Sequence, residues 1–171
     1  GGGTMMAMGG GGMGGAGAGG GMNFAMQGTM PTGVWPMSMM AGQTSQYMVN
    51  IPLTKAIPAS GKIVLTFPTG FDVTNAAMAV QSPTNSDING PGIGTVTVAT
   101  IAKDAVAGTI TITLGSVATQ ATDFLRFDLE QIKNSPIASD FTSSGNTVKI
   151  ATKHSSGLVL ENLTSMPFFL Q

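Results

Sequence analysis

His154 is the only histidine in the chain and lies in Lys153-His154-Ser155-Ser156-Gly157, beside two serines. A histidine next to hydroxyls could begin a nucleophilic site, but that chemistry needs a positioned nucleophile and a carboxylate to orient the base. No G-x-S-x-G elbow occurs anywhere. One His and no Cys also leave a zinc site without the several nitrogen or sulfur ligands it needs. His154 therefore reads as a hairpin-turn residue.

Asp123, Asp128 and Glu130 form the tightest carboxylate group, spaced D-x4-D-x-E. Hard cations take carboxylate oxygens, so Ca²⁺ is the chemistry to consider, yet the EF-hand pattern is missing. Asp128 and Glu130 fall on the same side of an extended segment with Arg126, which favours a solvated charged face. The run GGGGMGGAGAGG has glycines at phosphate-loop spacings but no G-K-[ST] ending and no strand-to-helix context. Asn162-Leu163-Thr164 is an N-x-[ST] triplet, a candidate glycosylation site at Asn162. The residues thus predict no catalytic site, no metal and no cofactor.

Composition narrows the class further. Charged residues make up 9% of the 171 and the net charge is -1, against about 25% charged residues in ordinary soluble domains. No basic cluster is available to follow a phosphate backbone, so nucleic acid is not an expected partner. One Trp and one Tyr give little platform for stacking bases or sugars. Few charges mean weak mutual repulsion, which suits a protein that associates with copies of itself. No apolar run has the length of a membrane-spanning helix. The chain opens on Gly1 without an initiator Met, which leaves a removed leader or a longer precursor open.

Two compositions divide the chain. Residues 1–41 hold 15 of the 25 Gly and 10 of the 13 Met, and the first charge is Lys55. No helical or two-residue apolar period runs through this arm. Glycine loses the most backbone entropy on ordering, so the arm has no structure of its own to prefer. Extended backbone at close approach and adaptable Met side chains suit an arm that packs against other copies. A low-complexity tail is the competing reading. The residues expected to carry the contact are Met5, Met6, Met8, Met13, Met22, Phe24, Met26 and Trp35. The stretch 31–42, PTGVWPMSMMAG, reads as a hinge, with Trp35 either a core latch or an interface anchor.

From residue 42 to 171 short Thr/Val/Ile-rich runs alternate with turns, as strands do. Tyr47, Val49 and Ile51 alternate up to Pro52. In 62–67, KIVLTF, Ile63, Leu65 and Phe67 share one face. A less regular strand is expected within 71–80 and a long surface turn over 81–92. Further strands are expected at 94–101, 109–114 and 124–129, with Lys103-Asp104 as a turn. Residues 147–152 and 158–163 read as a closing hairpin, and 168–170 as a last edge strand. This spacing predicts an all-β fold, an antiparallel β-sandwich of about 7–9 strands, over 42–171, with 1–41 as arm and hinge.

The stretch 57–71, IPASGKIVLTFPTGF, resembles a recurring segment of large Thr/Ser-rich cell-surface proteins. In those proteins β-sandwich modules repeat along extracellular polymers, and mastigoneme-like surface-appendage proteins are similar to it. Residues 108–114 (GTITITL) and Phe127-Asp128-Leu129, leading into Ile132-Lys133-Asn134-Ser135-Pro136, follow the same layout. The resemblance implies an extracellular structural module with no catalytic residues. The expected function is a structural subunit of an extracellular filament, sheath or surface appendage, a homo-oligomer or helical polymer of identical subunits. A viral capsid or decoration protein and an adhesive or carbohydrate-binding module are the alternatives.

Overall fold

The computed structural model describes residues 31–79, 88–90, 94–121, 123–139 and 144–171, with backbone alone for 88–90 and 94–96. Eleven strands are found among them. In chain order they are β1 (Gly33–Pro36), β2 (Thr44–Pro52), β3 (Lys62–Thr66), β4 (Ala77–Met78), β5 (Ile88–Gly90) and β6 (Gly94–Val96). There follow β7 (Val98–Asp104), β8 (Thr109–Leu114), β9 (Phe124–Lys133), β10 (Lys149–Lys153) and β11 (Val159–Thr164). The first sheet runs β1-β2-β9-β5-β6, with β4 also on β9; the second runs β11-β10-β3-β8-β7. Every pairing is antiparallel.

Two-residue alternation fixes which side of each long strand is inside. Tyr47, Val49 and Ile51 of β2 face Ile63 and Leu65 of β3, Ile110, Ile112 and Leu114 of β8, and Leu125, Phe127 and Leu129 of β9 in one buried cluster. Fully burying each such side chain contributes about 1.5–3 kcal/mol, so a core of this extent can offset the ordering of a long chain. Tyr47, Phe67, Phe71 and Phe168 add an aromatic group at one end, with Tyr47 and Phe67 edge-to-face at 5.4 Å between ring centres.

β9 keeps this face by means of a bulge. Leu129 and Ile132 are both buried although three residues apart. The register passes from Tyr47↔Leu129 to Ser45↔Ile132, so β9 carries one extra residue. Gln131 takes up the excess at φ 63°, in the left-handed region.

Several expected elements differ. The hinge expected at 31–42 contributes β1, in register with β2 from Gly33↔Asn50 to Pro36↔Tyr47, and Val34 reaches the core. Pro31–Gln171 forms one unit, so the sandwich starts before the change in composition ends; the other unit, Gly1–Met30, lies outside the described residues. The surface turn expected over 81–92 contains β5, whose Asn89 pairs with Arg126 of β9. The single strand expected over 94–101 is two, β6 in the first sheet and β7 in the second. The chain changes sheet at Thr97, whose carbonyl accepts from Gly115 N at 2.8 Å. A Cβ at Gly115 would collide with the Thr97 side chain, so glycine is needed for that approach. Lys103 and Asp104 end β7 instead of turning; Asp104 Oδ1 accepts from Val106 N and Ala107 N at 3.0 Å to shape the turn after it. The expected strand at 168–170 is a single bridge, Asn146↔Phe168, with Phe168 and Leu170 buried as core plugs.

Candidate assembly surface

The groups with chemical potential stay separate. His154 Nδ1 lies 3.0 Å from both the backbone N and the Oγ of Ser156, inside its own turn. His154 N donates to Leu158 O and Gly157 N to His154 O, closing the β10–β11 hairpin. The ring nitrogen that could serve as a base is thus engaged locally. Asp123 is buried, and its Oδ2 accepts from Gln120 N, which makes it a turn-forming residue. Asp128 lies on β9 and its Oδ2 accepts from Gln46 Nε2 at 3.2 Å. Among the described residues no three His, Cys, Asp or Glu gather as a metal site.

Of the residues expected to carry assembly, Met5, Met6, Met8, Met13, Met22, Phe24 and Met26 lie outside the described residues. Trp35 is half-buried on β1, and part of it packs against the core cluster. Its ring covers Gly33, where a Cβ would run into it, so Gly33 provides the seat for the indole. The register places Trp35 beside Met48, and Met48 beside Asp128. Asn50 and Arg126 form the next row, and Arg126 Nη2 lies 3.8 Å from the Met48 sulfur. Val34, Tyr47, Val49 and Phe127 point into the core from these strands, so Trp35, Met48, Asn50, Arg126 and Asp128 occupy the outer face. On that face Asn50 Oδ1 and Asp128 Oδ1 are shielded from solvent and receive no hydrogen bond. Buried acceptors without donors are rare in folded proteins.

The face continues into the strap 37–41, where Met37, Met39 and Met40 are exposed, Met37 and Met40 by more than half. The strap's backbone is fixed along its length. Met37 N donates to Gln46 O at 2.8 Å, and Ser38 N to Ser45 Oγ at 2.9 Å. Asn134 Nδ2 donates to Ser38 O and Met40 O at 2.9 and 2.8 Å. Ala41 N donates to Gln171 O, and Gln171 N returns a bond to Met39 O. These three methionines were not among the expected site residues; their signal was PMSMM, a charge-free run between Pro36 and Gly42. Asn162 is exposed on β11 in the second sheet, away from this face.

The strand pairing defines the protein as an all-β antiparallel sandwich of two sheets. No protein-family model matches the chain, and no curated protein sequence does. Among solved structures, an uncharacterized protein from Nocardia farcinica with an immunoglobulin-like fold is similar at 14% identity. The match covers 75% of this chain and 80% of that one, with a TM-score of 0.42. A collagen-binding domain from a Staphylococcus aureus adhesin is similar at 9% identity, over 72% and 85%, with a TM-score of 0.31. Among the described residues no helix is long and apolar enough to cross a membrane.

Proposed function

We propose that the chain is a structural subunit of an extracellular filament, sheath or surface appendage, polymerising through its N-terminal arm and the outer face of the first sheet. The observation that carries this reading is the apolar run on that face, with Trp35 and Met48 half-buried and Met37, Met39 and Met40 exposed beside them. A glycine-rich backbone permits close approach to such a surface, and methionines fill irregular apolar gaps. The segment 1–30 has that chemistry and no charge to desolvate. The arm of a neighbouring copy is the occupant we assign to the face. Ordering such an arm costs about 1–2 kcal/mol per residue in backbone entropy, so only extensive contact would hold it. The extracellular setting is supported by the resemblance of 57–71 to surface-appendage modules and by sandwich domains being common at cell surfaces.

The test is truncation before Pro31, since removing 1–41 would strip β1 from its sheet. Full-length protein should form filaments in negative-stain micrographs, whereas residues 31–171 should sediment as a monomer with an unchanged urea midpoint. Trp35→Lys or Met37→Lys in the full chain should also weaken assembly. Filaments formed equally well by the truncated chain would refute the role of the arm. Closed shells from the full chain would replace the filament by a shell protein.

A further inference from the structure

Asn162-Leu163-Thr164 is the one place in the chain where an asparagine is followed two residues later by Ser or Thr with no proline between. β11 holds the triplet extended, so Asn162 and Thr164 project to the same side. The register sets Asn162 opposite Ala151 and Thr164 opposite Lys149. Ile150 and Thr152, the alternate residues of β10, are buried, so all four lie on the solvent side of the second sheet. Both Asn162 and Thr164 are exposed. Among the described residues no hydrogen bond engages the Asn162 carboxamide, and β11 ends its sheet with no strand beyond it. The row next to Asn162 continues through Ala151 to Val64, short side chains that leave room above the sheet. Two other asparagines are spent on the fold: Asn134 holds the strap and Asn146 Nδ2 donates to Ser139 Oγ.

We propose that Asn162 is an acceptor for an N-linked oligosaccharide, a reading that rests on the extracellular setting proposed above and not on the arm. The donor class is a lipid-phosphate-linked oligosaccharide. A bond forms between Asn162 Nδ2 and the anomeric carbon while the anomeric carbon–oxygen bond to phosphate breaks. The lipid phosphate leaves with that electron pair, and Nδ2 releases one proton. No group is oxidised or reduced. The glycan stands at the edge of the second sheet, on the opposite side of the sandwich from Trp35, and leaves the proposed assembly face open. It also obstructs β11, whose flanking Leu158 and Met166 are exposed, from pairing with another strand.

The full chain, secreted from a eukaryotic cell line behind a leader, is examined by intact mass and by peptide N-glycosidase. We expect a species heavier than the 17.3 kDa polypeptide that the glycosidase reduces to polypeptide mass with Asn162 converted to Asp. Thr164→Ser should retain the glycan, and Thr164→Ala and Asn162→Gln should each lose it. Wild-type chain at bare polypeptide mass, while a co-secreted control glycoprotein is modified, would overturn the proposal, as would a glycan that survives Asn162→Gln. Microscopy of the same preparations reads filament formation separately, so loss of the glycan and loss of assembly are distinguishable.

Discussion

The Tyr47 hydroxyl donates to Asn134 Oδ1 inside the fold, joining β2 to the end of β9 across 87 residues of sequence. The same Asn134 directs its two amide hydrogens to Ser38 O and Met40 O. One buried side chain therefore connects the aromatic core to the strap that exposes Met37, Met39 and Met40. The rigidity of the proposed assembly surface depends on this pair.

Tyr47→Phe should destabilise the sandwich by about 1–3 kcal/mol, because it leaves Asn134 Oδ1 buried without its donor. Burial raises the Tyr47 pKa above its ordinary value of 10.0. A raised folded-state pKa means that the native state keeps its proton longer than the unfolded chain. The contribution is complete below about pH 10 and is lost as pH rises further. Urea midpoints should therefore fall above that pH in the wild type and fall less in Tyr47→Phe. Tyr47 is the only tyrosine, so phenolate absorbance follows this group alone. An ordinary titration midpoint in the folded protein would show that the hydroxyl is not buried in this network.

Phe67 is 4% exposed and meets both Tyr47 and Phe71. Phe67→Ala should cost roughly 3–5 kcal/mol by lost burial and the cavity left behind. A urea-unfolding loss below about 1 kcal/mol would place Phe67 outside the core.

Gln131 occupies a left-handed backbone position in the β9 bulge. Gln131→Gly should stabilise by up to about 1 kcal/mol, because a side chain is disfavoured there. Gln131→Val should destabilise by about 1–2 kcal/mol, since branching at Cβ worsens the same clash. Thermal unfolding of the two variants should shift in opposite directions; equal shifts would remove the bulge as the cause.

The three carboxylates should behave independently of metal. Calorimetry with Ca²⁺ should give no stoichiometric heat for Asp123, Asp128 and Glu130. Asp123→Ala should nevertheless destabilise by about 1–3 kcal/mol, because its buried carboxylate accepts the Gln120 N–H and closes the turn before β9. Saturable Ca²⁺ binding abolished by Asp128→Ala would favour an adhesive module.

The long strands were readable from residue order alone. Tyr47-x-Val49-x-Ile51, Ile63-x-Leu65-x-Phe67 and Leu125-x-Phe127-x-Leu129 alternate, and burial of one sheet face imposes that period wherever the strand pairs. Sequence also showed the charge-poor composition and the N-x-[ST] triplet, which are local properties of the chain. Partner choice was not local. The alternation of 94–98, GTVTV, runs from Gly94–Val96 into the start of Val98–Asp104, yet the two strands belong to different sheets, because alternation reports a buried face without saying which sheet supplies it. Gly33–Pro36 looked like a hinge because it holds Gly and Pro; pairing with Tyr47–Asn50 overrode that propensity and made it an edge strand. The outer face joining Trp35 to Met48, Asn50 and Asp128 gathers residues from three strands, and it exists only once β1, β2 and β9 pair in register. The sequence by itself determined the all-β class and the inward face of each long strand. Tertiary pairing decided the sheet memberships, the Asn134 clasp and the outer face proposed for assembly, because each depends on contacts between residues far apart in the chain.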